Sequence, residues 1–130
     1  MRTLLSIIFL LFINASANAE PYPWDLVKDA RFNHAYKAAL GPKAKEPWLA
    51  KLDGPSNEAK KVRVGGRDYL FVHSCKQRAC DTHNVVLLYS TATGVVYGKI
   101  SENRKTTFIG KPPADVKTEL GKLYAKEFRR

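Results

Sequence analysis

A chain of 130 residues, 45% hydrophobic and 26% charged, has the composition of an ordinary globular protein. It holds 22 Lys and Arg against 12 Asp and Glu, a formal net charge of +10. That excess favours acidic partners by long-range attraction: anionic glycan or lipid, or an acidic cleft on another protein.

Arg2, the apolar run Leu4 to Ile13 broken by Ser6, and then Ala17-Asn18-Ala19 have the layout of a secretory leader. The run is about half the ~20 apolar residues that a membrane span needs. Residues 1–19 are therefore expected to be cleaved, leaving residues 20–130 as a single domain with one core and no integral membrane segment. Export makes the periplasm the expected compartment, sets nucleic acid aside as a partner, and makes a disulfide the natural state of the only two cysteines, Cys75 and Cys80.

The first helix is expected to start near Asp25. Phe32, Ala35, Tyr36, Ala39 and Leu40 form one apolar stripe at helical spacing, and Gly41-Pro42 ends it. His34 lies off the stripe, where a solvated histidine is expected. Pro47-Trp48-Leu49 reads as a short helical turn covering one end of the core, and Gly54-Pro55-Ser56 as a turn.

From Lys60 the apolar period changes to two. Val62 and Val64 alternate with Arg63, and Gly65-Gly66 is a hairpin signal. In the next strand Tyr69, Phe71, His73 and Cys75 share one face, and Leu70, Val72 and Ser74 the other. Asn84 to Ser90 is apolar almost throughout, as a strand covered on both faces would be. Thr91 to Gly94 turns the chain, Val95 to Ile100 returns, Ser101 to Lys105 is a loop, and Thr106 to Ile109 is a fifth strand. After Gly110-Lys111-Pro112-Pro113 a final helix carries Val116, Leu120, Leu123, Tyr124 and Phe128 on one stripe. Asp115 sits at its positive end and Lys126, Arg129 and Arg130 at its negative end. The fold class is α+β: a five-stranded antiparallel meander flanked by an N-terminal and a C-terminal helix.

In a meander, alternate connections share an end of the sheet. The Cys75–Cys80 loop then lies beside the Ser101–Lys105 loop, and Lys76, Arg78, Arg104 and Lys105 form a basic rim. Closing so short a loop removes only about 2 kcal/mol of unfolded-state entropy. The bond is therefore better suited to shaping a loop than to stapling the fold.

The residues weigh against catalysis. Acids are few and dispersed, no close carboxylate pair stands out, and there is no glycine-rich phosphate loop. Zinc is the competing use of His73, Cys75, Cys80 and His83, but their H-x-C-x4-C-x2-H spacing fits zinc sites poorly. No metal or other cofactor is expected. A salt-labile glycan or lipid binder remains open, although neither helix is a strongly basic amphipathic anchor. A rigid cationic tip that loses little entropy on entering an acidic cleft is the other reading.

The run Val62 to Tyr89, with Gly66-Arg67-Asp68-Tyr69 before the strand and Cys75-Lys76-Gln77-Arg78-Ala79-Cys80 after it, resembles the inhibitor of vertebrate lysozyme (Ivy) family. Phe32-Asn33, Pro47-Trp48-Leu49, Gly54-Pro55-Ser56 and Ile109 to Pro113 extend the resemblance over essentially the whole mature chain. It implies a periplasmic protein that inserts a disulfide loop, Cys-Lys-Pro-His-Asp-Cys in the family, into the cleft of c-type lysozyme. The family's loop histidine meets the enzyme's catalytic carboxylates. Cys75, Lys76 and Cys80 match that loop; Gln77 stands for its proline, Arg78 for its histidine and Ala79 for its aspartate.

The resemblance thus implies an inhibitor whose partner-binding residues are Lys76, Gln77, Arg78, Ala79, Asp81, Arg104 and Lys105, closed by Cys75–Cys80. The departures at the tip leave open a paralogue that does not inhibit c-type lysozyme. Such a paralogue would bind a lytic transglycosylase, or an anionic glycan or lipid surface.

Overall fold

Two acids compete to start the first helix, and burial separates them. Pro23 and Leu26 are buried in a single turn, α1 (Pro23–Leu26), whose first turn holds Asp25. The main helix begins later, at α2 (Ala30–Leu40), where the Asp29 carboxylate accepts the Phe32 N–H at 2.9 Å. The expected single helix from Asp25 is thus two pieces, because the side chain that caps the long one is Asp29. A 3-10 turn over Gly41–Lys45 leads to α3 (Pro47–Lys51).

The computed structural model describes residues 19–128. The leader expected over residues 1–19 lies outside them except for Ala19, as do Arg129 and Arg130. No helix among the described residues is long and apolar enough to cross a membrane.

Five strands follow: β1 (Lys60–Val64), β2 (Arg67–Cys75), β3 (His83–Tyr89), β4 (Val96–Glu102) and β5 (Lys105–Ile109). They pair antiparallel in sequence order, the expected meander. The final helix, α4 (Ala114–Phe128), is anchored at its start by the Lys117 N–H on the Pro113 carbonyl at 2.8 Å.

Period-two alternation sorts the sheet into two faces. Val72, Val85, Leu87 and Ile100 pack with Phe32, Tyr36, Leu49 and Leu52 on one side. Tyr69, Phe71, Val86 and Leu88 pack with Val116 and Leu120 of α4 on the other. Strand β3 lies between the layers and is buried at every position after His83. Its two flanking loops therefore hang from the best-anchored segment of the chain.

The expected Ser101–Lys105 loop is shorter than its sequence implies. Strand β4 runs to Glu102 and β5 begins at Lys105, so only Asn103 and Arg104 turn the chain, both at positive φ (50° and 67°). Two residues in that region form the hairpin turn whose twist matches the strands, a turn that usually carries glycine. The absence of glycine hid it.

The α2–α3 corner closes on a buried hydrogen bond, Tyr36 Oη donating to the Leu49 carbonyl at 2.7 Å. Burial pushes the phenol's pKa well up, so it remains a donor across the physiological range. Tyr36→Phe orphans that carbonyl and is expected to lower stability by about 1–2 kcal/mol in urea unfolding, with the fold retained.

Candidate functional site

Cys75 and Cys80 are bonded, with their Cα atoms 4.9 Å apart. The backbone inside the bridge is turned rather than extended. The Ala79 N–H reaches the Lys76 carbonyl at 2.9 Å across Gln77 and Arg78, and Arg78 adopts φ +65°. A positive φ at the third position of such a turn is the geometry that glycine usually supplies. Here an arginine supplies it, at the exposed tip.

The neck below the tip is fixed by main-chain bonds to the first residue of β3. The Lys76 N–H donates to the His83 carbonyl at 3.0 Å, and the His83 N–H to the Ala79 carbonyl at 2.8 Å. Asn84 is buried, and its amide donates to the Cys80 carbonyl at 3.0 Å. The loop is braced backbone to backbone, so its side chains are left free to face outward.

Lys76, Gln77, Arg78 and Asp81 are exposed, and Ala79 and Cys80 are half-buried. Arg104 and Lys105 are brought to the same end of the sheet. The Asn103 N–H donates to the Thr82 carbonyl at 2.8 Å, joining the β4–β5 turn to the root of the disulfide loop. The two loops expected to neighbour one another do so through that bond.

The loop is a ridge between two open grooves. One, of about 590 Å³, runs between the loop and α3 and is lined by Glu46, Trp48, Asp53, Lys76, His83 and Glu102 among others. Of the lining residues, Glu102 pairs with Lys43, and the Trp48 indole donates to Glu46 at 3.2 Å. The Trp48 ring stands edge-on to His83 at 6.0 Å. Burial opposes the charge on Glu102, but its interactions with Lys43, Glu46 and His83 outweigh that cost. Its carboxyl is held below the usual range. Sequence reasoning missed this acidic flank because its members are far apart in the chain; the only hint was a tryptophan in a loop.

The second groove, of about 700 Å³, lies on the α4 side and is lined by Ser56, His73, Asp81, Glu127 and Phe128 among others. His73 turns toward α4. Its Nε2 lies 3.5 Å from a Glu127 oxygen, and its ring packs against Phe71 and Phe128. His83, the other histidine of the considered zinc set, turns to Trp48, on the opposite groove.

Gly54 roots the loop from outside. A Cβ there would overlap the carbonyl oxygen of Cys75, so only glycine lets the Gly54–Ser56 turn pass under the bridge. Beside it, the Ser56 hydroxyl donates to the His73 carbonyl.

Residues 31–126, well over half of the chain, match the inhibitor of vertebrate lysozyme (Ivy) family. The chain belongs to the Ivy family. Its members are inhibitors of lysozyme rather than enzymes, and their partner is a protein. No individual curated protein matches the chain closely enough to count as a relative.

Two outcomes are expected from the loop's surroundings. Gly54→Ala should displace the Cys75 end of β2 and cost at least about 2 kcal/mol in chemical unfolding, as overpacking against backbone does. The second concerns pH. Burial lowers the pKa of His73, Glu127 on α4 raises it, and Lys60 on β1 lowers it, for a net depression. The unfolded chain then binds the proton more readily. Stability should be full above the ordinary histidine pKa of about 6.5 and decline as pH falls below it. His73→Phe should flatten that part of a stability–pH curve measured by thermal unfolding.

Proposed function

We propose that this chain is a periplasmic inhibitor of lysozyme-type muramidases that inserts the Cys75–Cys80 loop into the active-site cleft. The observation that carries this reading is the tip: an exposed Arg78 held at φ +65° on a disulfide-closed, main-chain-braced turn between two grooves. A tip already in its bound shape loses little conformational entropy on docking. Family membership supplies the class of target.

Chemistry at the cleft follows from the guanidinium. A muramidase of this class works with carboxylates, which lie at the bottom of a groove. Arg78 stands where the family's loop carries histidine. It is charged at every relevant pH, and its planar fork can bond two carboxylate oxygens at once. Lys76 and Gln77 flank it, and Asp81, Arg104 and Lys105 provide the polar rim around the cleft's mouth. Ala79, in place of the family's aspartate, leaves Arg78 without an acid inside the loop to compete for it.

The net charge favours a second target within the same mechanism. Loss of Arg2 with the leader takes the charge from +10 to +9, and such a chain is repelled at long range by a strongly basic lysozyme and attracted by a more acidic muramidase, such as a lytic transglycosylase.

The test is a titration of the oxidised protein against a c-type lysozyme and a lytic transglycosylase. Arg78→Ala is expected to weaken inhibition of the true target by more than about 2 kcal/mol, roughly thirtyfold, as loss of a buried charged anchor does. Arg78→Gly is the matched control, because glycine accepts the positive φ without strain. It should unfold no more easily than the parent yet inhibit as poorly as Arg78→Ala. Reduction of Cys75–Cys80 should cost more in inhibition than in stability. Full inhibition by both Arg78 variants would remove the loop from the mechanism.

A further inference from the structure

Phe108 is the one large hydrophobic side chain left exposed among the described residues, at 36%. It sits near the end of β5 farthest from the disulfide loop, and β5 is an edge strand with β4 as its only neighbour. Two lysines stand against its ring. Lys99 is its cross-strand partner, with Nζ 6.0 Å from the ring centre and 4.4 Å from that of Tyr124. Lys117 of α4 stands over the same ring at 5.1 Å.

An open depression of about 690 Å³ adjoins the ring. Phe108 forms a wall, Ala38, Ala39 and Gly110 are small lining residues, and Lys111 and Lys117 supply charge; no carboxylate lines it. Among the described residues no acid pairs with Lys111 or Lys117. The two acids nearest in sequence to Lys117 do not serve it. The Asp115 carboxylate accepts the Val116 N–H, and Glu119 falls on the opposite side of α4 at about 100° per residue. Gly121, one turn beyond Lys117, leaves the adjoining space open.

We propose that this edge is a binding site for a carboxylate-bearing glycan. The Phe108 face can stack on the apolar side of a sugar ring, the small lining residues admit the ring's width, and Lys111 and Lys117 meet the carboxylate. A ligand recognised by charge alone, such as a polyphosphate or an anionic lipid headgroup, would use the lysines and gain nothing from the phenyl ring. The aromatic wall therefore selects the sugar. Lying at the far end of β5, the site leaves the disulfide loop free. If the muramidase reading holds, the site would keep the inhibitor on the kind of polymer that its target cuts.

The experiment measures binding of the full oxidised chain, at physiological salt, to oligogalacturonate, to neutral chitotetraose, to inorganic tripolyphosphate and to phosphatidylglycerol vesicles. Oligogalacturonate is expected to bind, with NMR shifts centred on Phe108, Lys111 and Lys117, and at least tenfold more tightly than chitotetraose. Phe108→Ala and the Lys111→Gln/Lys117→Gln double variant should each weaken it about tenfold, while Phe108→Tyr retains it. Tripolyphosphate should be indifferent to Phe108→Ala. Arg78→Ala should leave glycan binding intact, which separates this site from the inhibitory loop. Oligogalacturonate binding that survives Phe108→Ala, or that is absent or weaker than binding to tripolyphosphate or vesicles, overturns the proposal.

Discussion

The constraint on which the site depends is the burial of β3. A strand buried on both faces is held by close packing in two layers and by a hydrogen-bonded neighbour on each side, so its position in the sheet is fixed. His83 begins that strand and accepts and donates the two main-chain bonds that close the neck of the loop. The rigidity of the neck is thus borrowed from the core, and the disulfide holds the tip above it. The bridge adds about 2 kcal/mol of loop-closure entropy, small for the fold, but it acts on the few residues that the neck bonds leave unfixed. Stability and shape have different sources here, and reduction would separate them.

Much of this was legible in the sequence because each feature depended on neighbours. Alternation of Tyr69, Phe71 and His73 against Leu70, Val72 and Ser74 sorted the faces of β2 correctly, and the unbroken apolar run marked β3 as the central strand. A meander then placed the loops without further information. The break between α1 and α2 shows the limit of local reasoning. Asp25 does sit in a first turn, but α1 buries Pro23 and Leu26 as a turn of its own, and the long helix is capped four residues later by Asp29. The Asn103-Arg104 turn was illegible for a related reason: both residues take φ values normally assigned to glycine, and only the pairing of Glu102 with Lys105 demands it.

What the sequence hid altogether is the acidic flank of the loop. Lys43 and Glu102 are 59 residues apart, and nothing local links either one to Glu46 or His83. Their meeting alters the electrostatic picture that composition suggests. A net charge of +10 describes the field at a distance, where salt screens it within about 8 Å. At contact, a partner would meet a cationic tip with Glu46, Asp53 and Glu102 in the groove beside it. Long-range charge bears on the rate at which a partner is encountered, whereas these groove carboxylates act only at contact.

The strain at Arg78 bears on the same point. A non-glycine residue at φ +65° costs on the order of 1–2 kcal/mol, and Asn or Asp are the residues that tolerate it best. The turn from Lys76 to Ala79 needs that φ, and glycine would meet the need without cost. A long cationic side chain at that position is hard to account for by folding alone, since it is exposed. Strain held by a braced frame and bearing an outward functional group is the pattern of a binding tip. The frame supplies the bracing through β3 and the bridge, so the cost of the left-handed residue is met once, in folding.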